Sequence, residues 1–236
     1  MLQQTGVERV RTAFRLFLRH FPTIHALAAA PVRDVLAAWK GLGYNRRALS
    51  LSRAARIIVA DHGGRVPRSL EKLTELPGVG RATACAVLAY AFNEPVAFIE
   101  TNVRRVFIHF FFPDASRVTD PEILPLVECT LDRRNPRDWY DALMDYGTML
   151  RSAVGDANTH SARYRRQKPF GGSVRQARGL VLEALLRVRS LDMSGLAAAT
   201  GVIDSRLPTA VDQLLAEGFL SRHGARYRIT AGDPPG

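Results

Sequence analysis

The sequence predicts a mainly α-helical chain that closes in a winged helix-turn-helix. Three observations predict this. Apolar residues recur at helical spacing through roughly the first 150 residues, and strand-like alternation is scarce there. After a basic stretch the rhythm changes to three helices followed by two short strands.

In chain order, Val10, Phe14, Phe17, Leu18 and Phe21 share helical spacing, and Pro22 ends that run. The segment "PVRDVLAAWKGL" puts Pro31 at a helix start, with Gly41 and Gly43 beyond its end. "RRALSLSRAARIIVADHGG" and "SLEKLTEL" supply the next helices, with Ser69 as a plausible N-cap. Residues 151–173, "RSAVGDANTHSARYRRQKPFGGS", read as a basic connector, or as a segment wrapping the first domain with Tyr164 and Phe170 as anchors. Then "RQARGLVLEALLRV", "SGLAAATG" and "DSRLPTAVDQLLAEG" are helices; Leu207, Val211, Leu214 and Leu215 share a face of the third, and Gly218 ends it. "FLSRHGARYRIT" reads as two strands around His223-Gly224. The expected domains are residues 1–165 and 173–236. Such a C-terminal module grips DNA or contacts protein, because a fold does not fix its function.

The 236 residues are 47% hydrophobic, enough for a full core. Lys and Arg number 33 against 22 Asp and Glu, a net +11 that concentrates polyanions and makes nucleic acid the first partner to consider. An arginine-rich coding bias is the bland alternative. No apolar run approaches the roughly eighteen residues of a membrane span, and no signal-like start is evident. Cys85 and Cys129 are the 2 cysteines, with no CxxC, and the histidines lack metal-ligand spacing. The expectation is a cytoplasmic, nucleoid-associated monomer without metal, cofactor or structural disulfide.

The stretch "LPGVGRATACAVLAYAF" carries the first functional signal. Pro77 stops one helix, Gly78 and Gly80 permit backbone conformations a Cβ would oppose, and a new helix starts at Arg81 with Ala84, Val87, Leu88 and Ala91 as a small packing face. Free N–H groups at that helix start, with the helix dipole and Arg81, suit an anion. A helix-hairpin-helix of this type holds a DNA phosphate without reading sequence. Further on, "NEPVAF" crosses over to Ile99-Glu100-Thr101-Asn102, the start of a helix bearing Arg104, Arg105 and His109. Glu100 is either a carboxylate poised beside a developing sugar cation or a dipole-favourable cap, and spacing alone leaves both open. Asp145 reads as a cap or an Arg partner, and Phe107, Phe110, Phe111 and Phe112 as core and adjoining surface. Arg163, Arg165, Arg166 and Lys168 are phosphate contacts or a solvated run.

These residues resemble the helix-hairpin-helix–Gly/Pro-Asp (HhH-GPD) DNA glycosylases, the superfamily of endonuclease III and the MutY-type adenine glycosylases. The likeness to the MutY type rests on "MLQQT" at 1–5, "WKGLGYNRRALSL" at 39–51, "LPGVGRATA" at 76–84, "TNVRRV" at 101–106 and "LMDYGTML" at 143–150, in that order. It implies two helical subdomains around the hairpin, with Glu100 where the family has its catalytic aspartate. Ala82 falls where bifunctional members carry a Schiff-base lysine, which implies a monofunctional enzyme. Gln3, Gln4 and Thr5 match a segment that wedges into the duplex. Leu42 and Tyr44 match a loop probing the opposite base, Asn45 follows in that loop as a candidate DNA contact, and Gly78, Val79, Gly80 and Arg81 match the phosphate grip. Asn102 and Arg104 join the DNA-binding set.

The chain departs from the family in three respects. Glu100 is one methylene longer than Asp. The MutY-type glutamate that protonates adenine would stand two positions before Met1, so the expectation is a late annotated start with an N-terminal helix missing, or another acid. The iron–sulfur cysteines do not follow "LMDYGTML", and the winged helix stands where the MutY-type C-terminal domain would be. The implied function is hydrolysis of the N-glycosidic bond of a flipped base in double-stranded DNA, adenine opposite 8-oxoguanine or G. The alternatives are a thymine or uracil mismatch glycosylase and a catalytically inactive DNA-binding protein. Asn45, where MutY-type loops have a second tyrosine, bears on the former.

Overall fold

A computed structural model describes residues 1–2, 5–165 and 169–230. It separates into two compact units, Met1–Val66 with Lys168–Gly236, and Pro67–Gln167. The first unit begins with α1 (Val7–His20), α2 (Ile24–Ala29), α3 (Val32–Ala38) and α4 (Arg46–Asp61). The second holds α5 (Leu70–Thr74), α6 (Arg81–Phe92), α7 (Thr101–Phe111), α8 (Asp120–Thr130), α9 (Pro136–Ala153) and a 3-10 turn over Ala157–His160. The chain returns to the first unit with α10 (Val174–Arg187), α11 (Met193–Thr200), α12 (Arg206–Ala216) and a hairpin of β1 (Leu220–His223) and β2 (Arg226–Ile229). No helix among the described residues is long and apolar enough to cross a membrane.

Local chemistry sets the helix boundaries. The Thr23, Ser69, Ser173 and Asp192 side chains accept backbone N–H groups at the starts of α2, α5, α10 and α11. Thr119 and Glu122 form a reciprocal capping box on α8. Within the first unit, α10–α12 and the hairpin form the expected winged helix-turn-helix. Leu191, between α10 and α11, pairs antiparallel with Tyr227 and ties that segment to the edge of the two-stranded hairpin. His223 pairs with Arg226, so the turn falls on Gly224 and Ala225, one residue later than the sequence suggested.

One hydrophobic cluster in the first unit joins Phe17, Leu36, Trp39 and Leu49 to Val181, Leu185, Leu214 and Phe219. The compact units therefore cut across the expected division into 1–165 and 173–236. The helices α1, α3 and α4 pack on one another and share this cluster with α10 and α12. Polar ties reinforce this core. Arg33 donates to the carbonyls of Leu185 and Leu186, and Lys40 and Arg46 pair with Glu183 and Glu217 at 2.8 and 2.7 Å. Of the aromatic run on α1, Phe17 and Phe21 are buried whereas Phe14 and Leu18 face outward.

The second unit has its own cluster around Phe98, Val103, Phe107, Ile123 and Tyr140. The connector after α9 partly wraps it, since the Val118 N–H donates to His160 O and the Ala162 N–H to Val118 O, at 2.7 and 2.8 Å. Tyr164 and Phe170 are exposed, so backbone pairing holds the segment and the expected aromatic anchoring does not.

Glu217 joins α12 to α4 and α10. Hydrogen bonds from Arg178, then from Arg46, hold its pKa down at about 2, against burial that acts the other way. A depressed carboxylate stabilises the fold above its ordinary pKa and loses that contribution as pH falls through the folded value. Glu217→Gln should cost about 2 kcal/mol of stability at pH 7, and the difference from wild type should shrink between pH 4.5 and about 2 in denaturant titrations.

Candidate active site

In the second unit, α5 and α6 face each other across the turn "ELPGVG". Gly78 takes φ +75°, a left-handed conformation that a side chain would strain. Gly80 is the N-cap of α6 and offers no side-chain cap, so the first amides of that helix keep their donors outward beside exposed Arg81. Ala82, also exposed in this first turn, brings no amine. The buried face of α6 is Ala84, Cys85, Leu88 and Ala89; Val87 is half-buried and Ala91 exposed, which shifts the expected packing face.

Asn93 ends α6 in a left-handed conformation at φ +56°. The crossover from Glu94 to Ile99 has no ladder partner, so its polar groups need another source. Tyr140, buried on α9, supplies it. Its hydroxyl accepts the Phe98 N–H at 3.0 Å and donates to Val96 O at 2.9 Å, while its ring stacks on Phe98 at 4.2 Å.

The crossover delivers Glu100 to the N-cap of α7. Its Oε2 accepts the Thr101 N–H at 2.6 Å, which folds the longer glutamate back over the helix start. Glu100 is half-buried, and no cation pairs with it within salt-bridge distance among the described residues. A carboxylate fixed this way is a cap, and it is also a negative charge awaiting a positive partner.

Two adjacent arginines behind it differ sharply. Arg105 is 3% exposed; its guanidinium donates to the Asn102 amide oxygen, to Gly147 O at 2.8 Å and to Asp156 at 2.9 Å. Burial raises the Asp156 pKa, but the hydrogen bonds from Arg105 and the Asn158 N–H outweigh it and hold the carboxyl below its usual range. Asn158 donates to Thr101 O at 3.0 Å, fixing the first turn of α7 from the other side. Arg104 is held by both oxygens of Asp120 at 2.7 and 3.0 Å, with Arg163 on the same carboxylate at 3.2 Å. That occupancy does not favour the DNA contact expected of Arg104, nor the one weighed for Arg163. The Asn102 side chain lies against Arg105 and Met144.

The residues around Tyr90 were missed from the sequence. Burial first, then the nearby carboxylates of Asp141, Glu100 and Asp145 with Tyr140 among them, push its hydroxyl far above the usual phenol range. Asp141 itself is raised by burial and by Asp138 and Asp145. This part of the unit thus gathers negative charge around one half-buried phenol. Asp145 lies in the middle of α9 and pairs with no arginine among the described residues, contrary to the expected cap or ion pair. Only the spacing of Asp141 and Asp145 at one helical turn could have suggested the grouping.

In the first unit, the loop from Trp39 to Asn45 is organised by Arg47. It donates to Met1 O at 2.8 Å, to the Thr5 hydroxyl at 3.0 Å and to the carbonyls of Leu42 and Gly43 at 3.3 Å, and its guanidinium lies 5.4 Å from the Trp39 ring centroid. Leu42, expected to probe DNA, is 2% exposed and is a core anchor of the loop, because Trp39 and Arg47 draw its backbone inward. Tyr44 is presented instead, 42% exposed at φ +47°. Asn45 occupies the N-cap of α4 without a side-chain cap bond. Thr5 turns its hydroxyl to Leu42 O at 3.2 Å; Gln3 and Gln4 lie outside the described residues.

Comparison with known proteins agrees with these motifs. The family model of the HhH-GPD superfamily of base excision DNA repair proteins matches residues 1–124. The adenine DNA glycosylase of Mycolicibacterium smegmatis is 34% identical over 204 residues, 78% of this chain and 69% of that protein. That of Mycobacterium tuberculosis is 47% identical over 106 residues, 45% of this chain but only 35% of its own length. A solved thermostable thymine-DNA glycosylase matches with a TM-score of 0.56 at 25% identity, covering 66% of this chain and 73% of that one.

A Cβ added at Gly147 would stand 2.7 Å from Asn102 Cβ and 2.8 Å from Asn102 O, so α7 and α9 could not keep their approach. Gly147→Ala should lower stability by about 1–3 kcal/mol in thermal or denaturant unfolding. An unchanged midpoint would mean that this contact does not set the position of α7.

Proposed function

We propose that this chain, which belongs to the HhH-GPD superfamily of base excision DNA repair proteins, is a monofunctional DNA glycosylase that removes a mismatched or damaged base from a duplex, adenine opposite 8-oxoguanine or G in the first instance. The observation that carries the reading is Glu100, a half-buried carboxylate fixed at the N-terminus of α7 without a paired cation. As the bond between sugar and base lengthens, positive charge develops on the sugar. A preorganised carboxylate stabilises that charge more than it stabilises the neutral ground state. Water then adds its oxygen to the sugar carbon as the bond to the base breaks, its proton passes to the departing base, and an abasic site and the free base remain.

Further residues take roles consistent with this chemistry. The uncapped amides after Gly80, with Gly78, Val79 and Arg81, suit one DNA phosphate at the hairpin. Ala82 provides no amine for a sugar adduct, so strand cleavage through a Schiff base is not part of the proposal. Tyr44 is the exposed aromatic side chain of its loop and suits stacking on a base. The adenine assignment draws on the two mycobacterial relatives. The likeness to a thymine-DNA glycosylase, with Asn45 beside Tyr44, keeps T:G or U:G as the second reading.

Base release from a panel of duplexes (A:8-oxoG, A:G, T:G and U:G) tests the proposal, with alkali-labile sites as the readout. Release of adenine is expected, and release from T:G or U:G would select the second reading. Glu100→Gln should lower the single-turnover rate by a factor of about 10²–10³ with duplex affinity retained. Glu100→Asp should retain most of the rate. Duplex binding with no base released from any pair would make the chain a DNA-binding protein.

A further inference from the structure

The winged-helix module carries a cluster of cations that the glycosylase reading does not use. Antiparallel pairing sets the faces of the hairpin: His223 lies opposite Arg226 and Ser221 opposite Arg228, so these four share one face. Tyr227 and Ile229 point the other way and are buried in the core of the first unit. Arg189, just after α10, comes to the same outward face. With Ser190, His223, Arg226 and Arg228 it lines a cavity of about 140 Å³.

The cluster is held open rather than neutralised. Arg226 donates to the Ser190 hydroxyl at 2.9 Å and to Ser190 O at 2.8 Å, and Arg228 donates to the Ser221 hydroxyl at 3.3 Å. None of Arg189, Arg226 and Arg228 has a carboxylate within salt-bridge distance among the described residues. One carboxylate, Asp192, feels the charge of Arg226, but its Oδ1 is already occupied by the Gly195 N–H and the Ser194 hydroxyl at 2.8 and 2.9 Å. Arg226 and Arg228 are two residues apart on one strand, about 6.6 Å. That span is comparable with the separation of neighbouring phosphates along a strand.

We infer that this wing is a second DNA-backbone grip, in which Arg189, Arg226 and Arg228 bind phosphodiesters independently of sequence. It rests on the reading of the chain as a DNA-acting enzyme and adds a site to it. The helix that would enter a groove in such a module, α12, has Arg206 as its one cation. Arg206 is held by Asp204 at 2.6 Å, and exposed Asp212 adds a negative charge. The module is therefore built to hold backbone and not to read bases. A protein partner would call for apolar area at the centre of the contact, whereas the apolar residues of β2 are turned into the core. Guanidinium forks on a polar face suit phosphate.

The test is the salt dependence of binding to an undamaged duplex, measured by fluorescence anisotropy for wild type and for the triple variant Arg189→Ser, Arg226→Ser, Arg228→Ser. Each lost phosphate contact should flatten the slope of log K against log salt by about 0.9, so the triple variant should lose roughly 2.7. Because Arg226 also ties down Ser190, the double variant Arg189→Ser, Arg228→Ser is a second reading with an expected loss of about 1.8. Replacement of all three by Lys should keep most of the slope, and two duplexes of unrelated sequence should bind alike. A wild-type slope in a triple variant that melts like wild type would overturn the wing grip alone. Failure of the wild type to bind any duplex would overturn it together with the glycosylase reading.

Discussion

The arrangement around Glu100 depends on one buried cation. Arg105 has almost no access to water, and an unpaired guanidinium in that position would cost several kcal/mol. It is satisfied only if Asn102, Gly147 and Asp156 arrive together, and those three come from α7, α9 and the turn after α9. The requirement fixes how α7 lies on α9, and hence where its first turn points. Gly147 permits the approach, Asn158 holds Thr101 from the other side, and Tyr140 holds the crossover that leads in. Glu100 is the end of this chain of constraints.

The hairpin and the carboxylate helix were legible in the sequence because each depends on local chemistry. Gly78 announces a left-handed turn that few residues can make, and Glu100 precedes a helix start in any reading of the pattern. The adjacent arginines were not separable. Arg104 and Arg105 are the same residue type one position apart, but 100° of helical rotation sends one to Asp120 and the other into the core. Leu42 misled because the resemblance placed it in a DNA-probing loop, whereas the bonds of Arg47 and Trp39 to the carbonyls of Leu42 and Gly43 turn it into the core. The shared core of α1, α3, α10 and α12 joins residues more than a hundred positions apart, so no local pattern could reveal it.

The net charge of +11 also acquires a finer meaning. Much of the arginine is structural: Arg33 closes the carbonyl end of α10, Arg47 organises a loop, Arg56 donates to Ala28 O at 3.1 Å, and Arg105 is buried. These charges contribute little to attraction of a polyanion at close range. The exposed arginines are spread over both units, Arg9, Arg15, Arg133 and Arg134 among them, and they include Arg81 at the hairpin of the second unit and Arg189, Arg226 and Arg228 at the wing of the first. Negative charge is concentrated around Tyr90, where Glu100, Asp141 and Asp145 gather. The proposed function and the wing grip place phosphate at the hairpin and the wing and a cationic sugar beside Glu100.

The central claim is that Glu100 is an electrostatic partner for a positive sugar. Its most direct test compares two duplexes that differ only at one abasic position, one with a neutral tetrahydrofuran and the other with a cationic pyrrolidine of the same shape. The account predicts that the cationic duplex binds tighter by about tenfold or more, and that Glu100→Gln erases the difference. Equal affinity for the two duplexes, or a preference that survives Glu100→Gln, would contradict it.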